Sequence, residues 1–477
     1  MDPNARLSFS LDTLSFDTVF TTIGSVTLNF RVYNPYNKDI VVSKVSVKGE
    51  MQSPFNINVD GIEGGAEKTI EEVVIRAKDS MYVFVEVKLD ANNSNLPLII
   101  KDSIEFITNS NTQYVQLSAY GQDVHHLRVE DASYFAYLDE AKTIKAIVLK
   151  STDLIGDKPY LVHDHIIVDS LETLTLKEGV ILYMRKDISL FVKGTLKIEG
   201  TKDDPVQIRG DRLDELYSGL SYDKVPGQWG YIHLLAGSMN NEINYASIVN
   251  GVIGVRVDSV VTQDAPTLKI SNSIIQNMTS VGIYALGAEI FADNCVVSNC
   301  VDYNIYLAIG GFYDFVHCTI GNYYNWGGRN TPSVALNNYY ETANKTIELR
   351  DLKRANFYNS IIYGTLLTEV GLLNEFEEKP VDAEFNYLFD HCIIRGKNGL
   401  DTTDTAHFKN VLWDKDPLFV SPTDGISFEI DSLSPAVDAG NPDFAEDYPE
   451  DFNGYNRLKD GLPDLGAFEF VPKTKKE

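Results

Sequence analysis

Two hydrophobic rhythms divide this chain. From residue 7 to about residue 124, apolar and polar residues alternate in short runs, at residues 26–32, 40–47, 82–89 and 114–120. A period of two predicts strands that bury one face. Turn-forming pairs separate the runs: Asn34-Pro35, Asp60-Gly61, Gly64-Gly65 and Asn92-Asn93. About seven strands in about 115 residues predict an immunoglobulin-like β-sandwich over residues 1–125. The region holds no cysteine, which excludes the Cys–Trp–Cys core of antibody domains.

The second rhythm is a repeat in register. Ala246-Ser-Ile-Val-Asn250, Ser273-Ile-Ile-Gln-Asn277, Cys295-Val-Val-Ser-Asn299, Cys318-Thr-Ile-Gly-Asn322, Ser360-Ile-Ile-Tyr-Gly364 and Cys392-Ile-Ile-Arg-Gly396 follow one pattern, at intervals of 27, 22, 23, 42 and 32 residues. The first column is small, the third β-branched, the fifth Asn or Gly. Stacked parallel strands demand this. Equivalent side chains lie one above the next, so a small inward residue lets the coil close and β-branched residues fill it. Asn and Gly tolerate the left-handed backbone of a sharp turn. Coils of about 22 residues, with surplus chain budding as loops, predict a parallel β-helix over residues 126–435, its coils starting near Leu161. Second strands follow at Val255-Arg-Val257, Ile283-Tyr-Ala-Leu286 and Ile305-Tyr-Leu-Ala308. Residues 436–477 are expected to form an irregular C-terminal cap. The fold class is therefore all-β, a sandwich followed by a single-stranded parallel β-helix. Cys295, Cys318 and Cys392 share the small column and read as buried, reduced thiols, while Cys300 lies outside it.

The strings Leu171-Glu-Thr-Leu-Thr-Leu-Lys-Glu-Gly179, Gly194-Thr-Leu-Lys-Ile-Glu-Gly200, Asp204-Pro-Val206 and Gly227-Gln-Trp-Gly230 resemble right-handed, pectate-lyase-like β-helix proteins. In particular the chain resembles surface lipoproteins of Bacteroides type that carry an Ig-like module before the helix. The tail, Ser434-Pro-Ala-Val-Asp-Ala-Gly440 and then Asp464-Leu-Gly-Ala-Phe-Glu469, resembles the end segment of secreted β-helices of that kind. The resemblance implies export to the cell surface or outer membrane, and a lipid anchor on a cysteine upstream of residue 1. It carries the architecture and no specific activity.

Composition narrows the partners. With 41 Lys and Arg against 68 Asp and Glu, the net charge of −27 disfavours nucleic acid and anionic membrane surfaces. No run of apolar residues is long enough to span a bilayer as a helix. The start of the chain, MDPNARLSFS, carries no signal-peptide pattern. Two function classes remain. One is a non-catalytic surface protein that binds glycan or a protein partner through the helix wall and its loops. The other is a diverged polysaccharide lyase or glycoside hydrolase.

The catalytic patterns of polygalacturonases and the Arg-x-Pro-x-x-Arg of pectate lyases are missing, and the pair Asp203-Asp204 precedes Pro205 as a turn. His163 and His165 could bind a metal from one strand face, but they lie near the expected N-terminal cap, so the pair reads as structural and no metal is assigned. His317 and His391 share a column with Asn272, Asn294 and Asn359 that alternation aims at the outer wall, as a polar ladder. The acidic run that includes Asp443, Asp451, Asp460 and Asp464 is expected to be solvated. Asp451-Phe-Asn453-Gly454 faintly resembles a calcium loop without its twelfth-position Glu, so no cofactor is assigned and Ca²⁺ has no clear motif. Two aromatic loops stand out. The first contains Tyr217, Tyr222 and Trp229. The second reads Tyr323-Tyr-Asn-Trp-Gly-Gly-Arg329, then Asn337-Asn-Tyr-Tyr340. Rings that stack on a sugar's apolar face, with amides for its hydroxyls, suit glycan. Tyr222, Trp229, Tyr324, Trp326 and Arg329 are therefore the candidate ligand residues.

Overall fold

The computed structural model describes residues 5–89, 98–109, 111–129, 135–139, 142–217, 220–258, 266–341, 345–376, 379–423, 427–459 and 461–472. The Asn92-Asn93 turn, Asp460 and the side chain of Tyr217 lie outside the described residues. The chain divides into two compact units, Met1–His125 with Leu213–Tyr222, and His126–Arg212 with Asp223–Glu477.

The first unit is a two-sheet sandwich. One sheet runs in the order Ser8–Phe9, Leu28–Tyr33, Ser80–Val87, Phe55–Val59, Ile62–Glu63, and the other Thr13–Phe20, Asn111–Gln122, Leu98–Thr108, Ile40–Val47, Thr69–Ile75. Neighbours are antiparallel except Thr13–Phe20 and Asn111–Gln122, which pair in parallel with a bulge at Ala119/Tyr120. Alternation does what the sequence requires: Phe30, Val32, Val83, Val85, Phe55 and Ile57 meet Val42, Val45, Ile104, Phe106, Val115 and Leu117 in one core. Phe106 joins the sheets, with ring centroids 5.0 Å from Phe9 and 6.2 Å from Phe30.

The second unit is a right-handed parallel β-helix with three walls. One coil shows the order: Val281–Leu286 in the first wall, Glu289–Asp293 in the second, Val296–Ser298 in the third. Tyr303–Ala308, Gly311–Val316 and Thr319–Asn322 then stack directly on them in parallel. The repeat columns coincide with the register. Ile248, Ile275, Val297, Ile320, Ile362 and Ile394 form one unbroken inner column on the third wall. On the second wall Phe315, Phe357 and Phe389 stack inside at 4.9 Å steps, the spacing of paired strands.

The turn from the second wall to the third is a single left-handed residue in coil after coil: Asn272 (φ 48°), Asn294 (50°), His317 (51°), Asn359 (45°) and His391 (51°). An amide side chain relieves the cost of that conformation and bonds to its neighbour in the stack, as Asn294 Nδ2 does to Asn272 Oδ1 at 3.1 Å. All four cysteines are free and buried. Burial pushes the Cys300 and Cys392 thiols up to about 12. Cys300 packs against the coil turn, its N–H donating to Asn304 Oδ1 at 3.2 Å.

The C-terminal segment lies along the side of the helix. Phe428, Ile430, Ala436, Leu465, Ala467 and Phe468 pack on Val296, Ile361 and Ile393, the outward residues of the third wall. The fit is close: a Cβ on Gly321 would stand 2.2 Å from the Phe428 ring. Two expectations change here. His317 is fully buried under this segment, so the polar ladder is internal at that level and not an outer surface. The acidic run is only partly solvated, because Asp451 and Asp464 are buried acceptors. Asp451 takes the N–H of Tyr455 (2.7 Å) and Glu469 (2.8 Å), and Asp464 takes those of Asp438 (2.8 Å) and Phe470 (2.6 Å). Buried Arg457 completes the lock, bonding Glu469 Oε1 at 2.7 Å and Asn294 Oδ1 at 2.8 Å.

Candidate functional site

The three walls share an inside and differ outside. Chain that leaves the third wall enters the first, so each first-wall strand begins beside the turn where surplus loop is inserted. Chain that leaves the first wall can bud again before the second. The outer face of the first wall is thus bordered by loops on two margins.

The outward residues of successive first-wall strands form one column: Phe191, His233, Arg256, Tyr284, Tyr306, Ala335, Gly371. From Phe191 to Tyr306 each is the polar or aromatic middle of an apolar triplet such as Val255–Val257; Ala335 and Gly371 continue the column without a polar or aromatic side chain. At the upper end, His233 Nε2 stands 2.8 Å from Asp258 Oδ2, and Arg256 Nε donates to Asp258 Oδ1 at 3.0 Å. Burial alone would raise the Asp258 carboxyl. The hydrogen bond and charge of His233, with Arg256, outweigh it and hold the group below the usual range. The Arg256 guanidinium lies 5.8 Å from the Tyr284 ring centre. Tyr284 stacks on Tyr306 at 5.4 Å with planes 3° apart, and Tyr303 on Tyr306 at 4.7 Å. Burial, reinforced by Tyr284 and its phenol neighbours, pushes the Tyr306 hydroxyl up to about 12, so it is a neutral donor and acceptor at neutral pH.

One margin is the loop 323–333, which leads from Thr319–Asn322 to Val334–Asn337. Its base is fixed by a buried ion pair, Arg329 Nη2 to Glu369 Oε2 at 2.8 Å. Ser333 donates to the same carboxylate through N (2.9 Å) and Oγ (2.6 Å). Thr331 Oγ1 bonds the carbonyl of Asp302, the residue before Tyr303, and so ties the loop to the start of the preceding first-wall strand. The other margin carries two small hairpins, Tyr339–Glu341 with Ile347–Leu349 and Glu375–Phe376 with Lys379–Pro380. Tyr339 and Phe376 meet edge to face at 5.9 Å, and Tyr340 is exposed.

The five sequence candidates separate. Tyr324 (half-buried) and Trp326 (38% exposed) sit together on the loop 323–333. Tyr222 belongs to the other compact unit, in a one-turn segment Tyr222–Lys224, with its N–H bonded to Asp214 O at 2.9 Å. Two candidates are corrected. Trp229 is fully buried inside the coil, its Nε1 bonded to Val249 O at 2.8 Å, and a Cβ on Gly251 would stand 3.0 Å from its ring. Arg329 is buried and spends its guanidinium on Glu369, so neither can meet a ligand.

His163 and His165 have separate partners. His163 Nε2 faces His126 Nδ1 at 3.0 Å, while His165 Nδ1 accepts the N–H of Ser189 at 3.1 Å. Burial, then Arg185 and other nearby positive charge, lowers His163 to about 4. Among the described residues no group of three or more His, Cys, Asp or Glu is placed to hold a metal ion. The sequence reading missed Arg256, Tyr284, Tyr303 and Tyr306. The signal was the middle position of the second-strand triplets, which alternation turns outward and register stacks.

No family model matches the chain, and no curated protein matches it. Among solved structures it is similar to pectate lyase Pel9A, with 11% identity over 68% of this chain and 87% of that one and a TM-score of 0.32. It is similar to the catalytic unit of the GH87 α-1,3-glucanase from Streptomyces thermodiastaticus strain HF3-3, with 10% identity over 76% of this chain and 79% of that one and a TM-score of 0.16. It is also similar to PapD-like domain 7 of human CEP192, with 11% identity over 26% of this chain and 91% of that one and a TM-score of 0.18.

Proposed function

We propose that the chain binds polysaccharide along the outer face of the first wall, between the loop 323–333 and the two hairpins, without cleaving it. The observation that carries this reading is the column Arg256–Tyr284–Tyr306, one outward donor per coil in strict register. A regular row of side chains suits a regular polymer. Coils rise about 4.8 Å each, close to the advance of one sugar unit in an extended glycan. Successive units can then meet equivalent hydroxyls and ring edges. Trp326 and Tyr340 at the margins add flat apolar surface for sugar faces. The net charge of −27 favours neutral or cation-bridged sugars over free uronic acids.

Binding fits the column better than hydrolysis. A glycoside hydrolase places two carboxyls about 5–9.5 Å apart across the scissile bond. Asp258, the carboxylate at the head of this column, is committed to His233 and Arg256. An exported, surface-anchored location, which the resemblance to surface lipoproteins implies, belongs to the same proposal.

The test is a broad glycan array probed with the full chain, followed by reducing-sugar and unsaturated-product assays on every glycan bound. Binding without products supports the proposal. Products would turn it into the diverged enzyme. A chain that binds no glycan would point to a protein partner on this face.

A further inference from the structure

A groove of about 680 Å³ opens on the sandwich, lined by Thr27, Asn56, Asn58, Glu63, Phe84 and Glu86 together with glycine backbone. Its volume falls in the range of small-molecule sites, about 300–1,000 Å³. Register sets Phe84 between two amides on the neighbouring strands, Asn29 on one side and Asn58 on the other. The ring is 36% exposed, on a strand whose neighbouring positions Val83 and Val85 are fully buried. Phe84 stacks on Tyr82 at 5.9 Å and 23°, and the Arg31 guanidinium lies 4.6 Å from the Tyr82 ring centre, so the aromatic floor is held before a ligand arrives.

The polar rim is also set in advance. Asn56 Nδ2 bonds Glu86 Oε1 at 3.2 Å, and Asn58 Oδ1 accepts the N–H of Gly61 at 2.9 Å, which leaves the Asn58 amide N–H₂ to a ligand. Gly61 and Gly65 have left-handed backbone (φ 91° and 61°) and open space where a Cβ would stand, so the backbone itself borders the groove.

From this geometry we infer that the sandwich carries a second glycan site, for a neutral oligosaccharide. A flat ring flanked by amides and carboxylates matches a sugar, which has one apolar face and a rim of hydroxyls. The lining holds Glu63 and Glu86 and no Lys or Arg, so an anionic sugar would bring its charge against two carboxylates. The inference stands apart from the first-wall proposal, since it rests on different residues in a different unit.

The test compares wild type, Phe84→Ala, Phe84→Tyr and Tyr306→Ala, each as the full chain, on an array of neutral oligosaccharides, with hits titrated by calorimetry. The expected result is at least one neutral oligosaccharide whose affinity falls tenfold or more in Phe84→Ala, recovers in Phe84→Tyr and is unchanged in Tyr306→Ala. Glycans lost only in Tyr306→Ala report on the first wall and leave this site without support. If Phe84→Ala lowers the melting temperature, Asn56→Ala replaces it and should give the same loss. The inference is overturned if no neutral oligosaccharide is weakened by either variant, or if a basic peptide and no sugar competes for the groove.

Discussion

The third and first walls of the β-helix are built from one repeat, yet the chain treats their outer faces in opposite ways. Outward residues of the third wall include the apolar Val296, Ile361 and Ile393, and the C-terminal segment covers them. Outward residues of the first wall are Arg256, Tyr284 and Tyr306, half-buried beside loops. The second wall is different again. It carries ion pairs such as Arg354–Asp314 (2.8 Å) and Lys197–Glu242 (2.7 Å), the pattern of a solvated face. The inner columns of a β-helix are dictated by closure of the coil. The outer columns are free of that rule, so an outer column that keeps half-buried, stacked rings beside loops, as Tyr284 and Tyr306 do, carries information about binding.

The largest effects should come from breaking what holds the covered face and the loop base. Arg457→Ala leaves Glu469 buried without its partner, and Glu369→Ala does the same to Arg329. Each should cost about 3–5 kcal/mol in chemical denaturation. Trp229→Ala should cost a similar amount, about 3–5 kcal/mol, because it empties the coil. Trp326→Ala should change stability by about 0.5 kcal/mol or less, because it stands at an exposed loop tip. Equal losses from the two tryptophans would erase the distinction between coil interior and margin.

That distinction marks how far the sequence could be read. Inner columns were legible because every coil must satisfy the same steric rule, and six aligned segments repeat it. The turn at the end of each third-wall strand was legible at Asn250, Asn277 and Asn299, because left-handed backbone selects Asn. Trp229 was not, because an aromatic between glycines looks like a loop residue until Gly251 of the next coil is seen to make room for it. Arg329 was not, because its partner Glu369 lies 40 residues on and is brought near only by the coil. Asp451 and Asp464 looked solvated within an acidic run, and no local pattern reveals that they accept backbone N–H groups. The tyrosine column was written in plain alternation, but outward positions obey no closure rule, so composition alone did not single it out.

A pH series gives the next effect in size. His163 has a folded value of about 4 against 6.5 for an ordinary imidazole. The unfolded chain therefore takes up the proton first. The stability that neutral His163 contributes is complete above pH 6.5 and is lost as the pH falls toward 4. With solvent screening the loss should be about 1–2 kcal/mol. His163→Gln should flatten that part of the stability profile. The thiols should contribute least: Cys295 and Cys318 neighbour each other in one column and face the same way, which is poor disulfide geometry. Non-reducing mass spectrometry should find no bridge between them, and alkylation of the folded chain should be negligible.

On the proposed function, the first wall, and not its neighbours, is the glycan face. This is tested most directly by calorimetric titration of a glycan selected on the array into three proteins: wild type, Tyr284→Ala/Tyr306→Ala, and Lys197→Ala/Arg354→Ala on the second wall. The tyrosine variant should lose tenfold or more in affinity, about 1.4 kcal/mol, with its cooperative melt retained, and the second-wall variant should bind like wild type. Wild-type affinity in the tyrosine variant, or a loss confined to the second-wall variant, would contradict it.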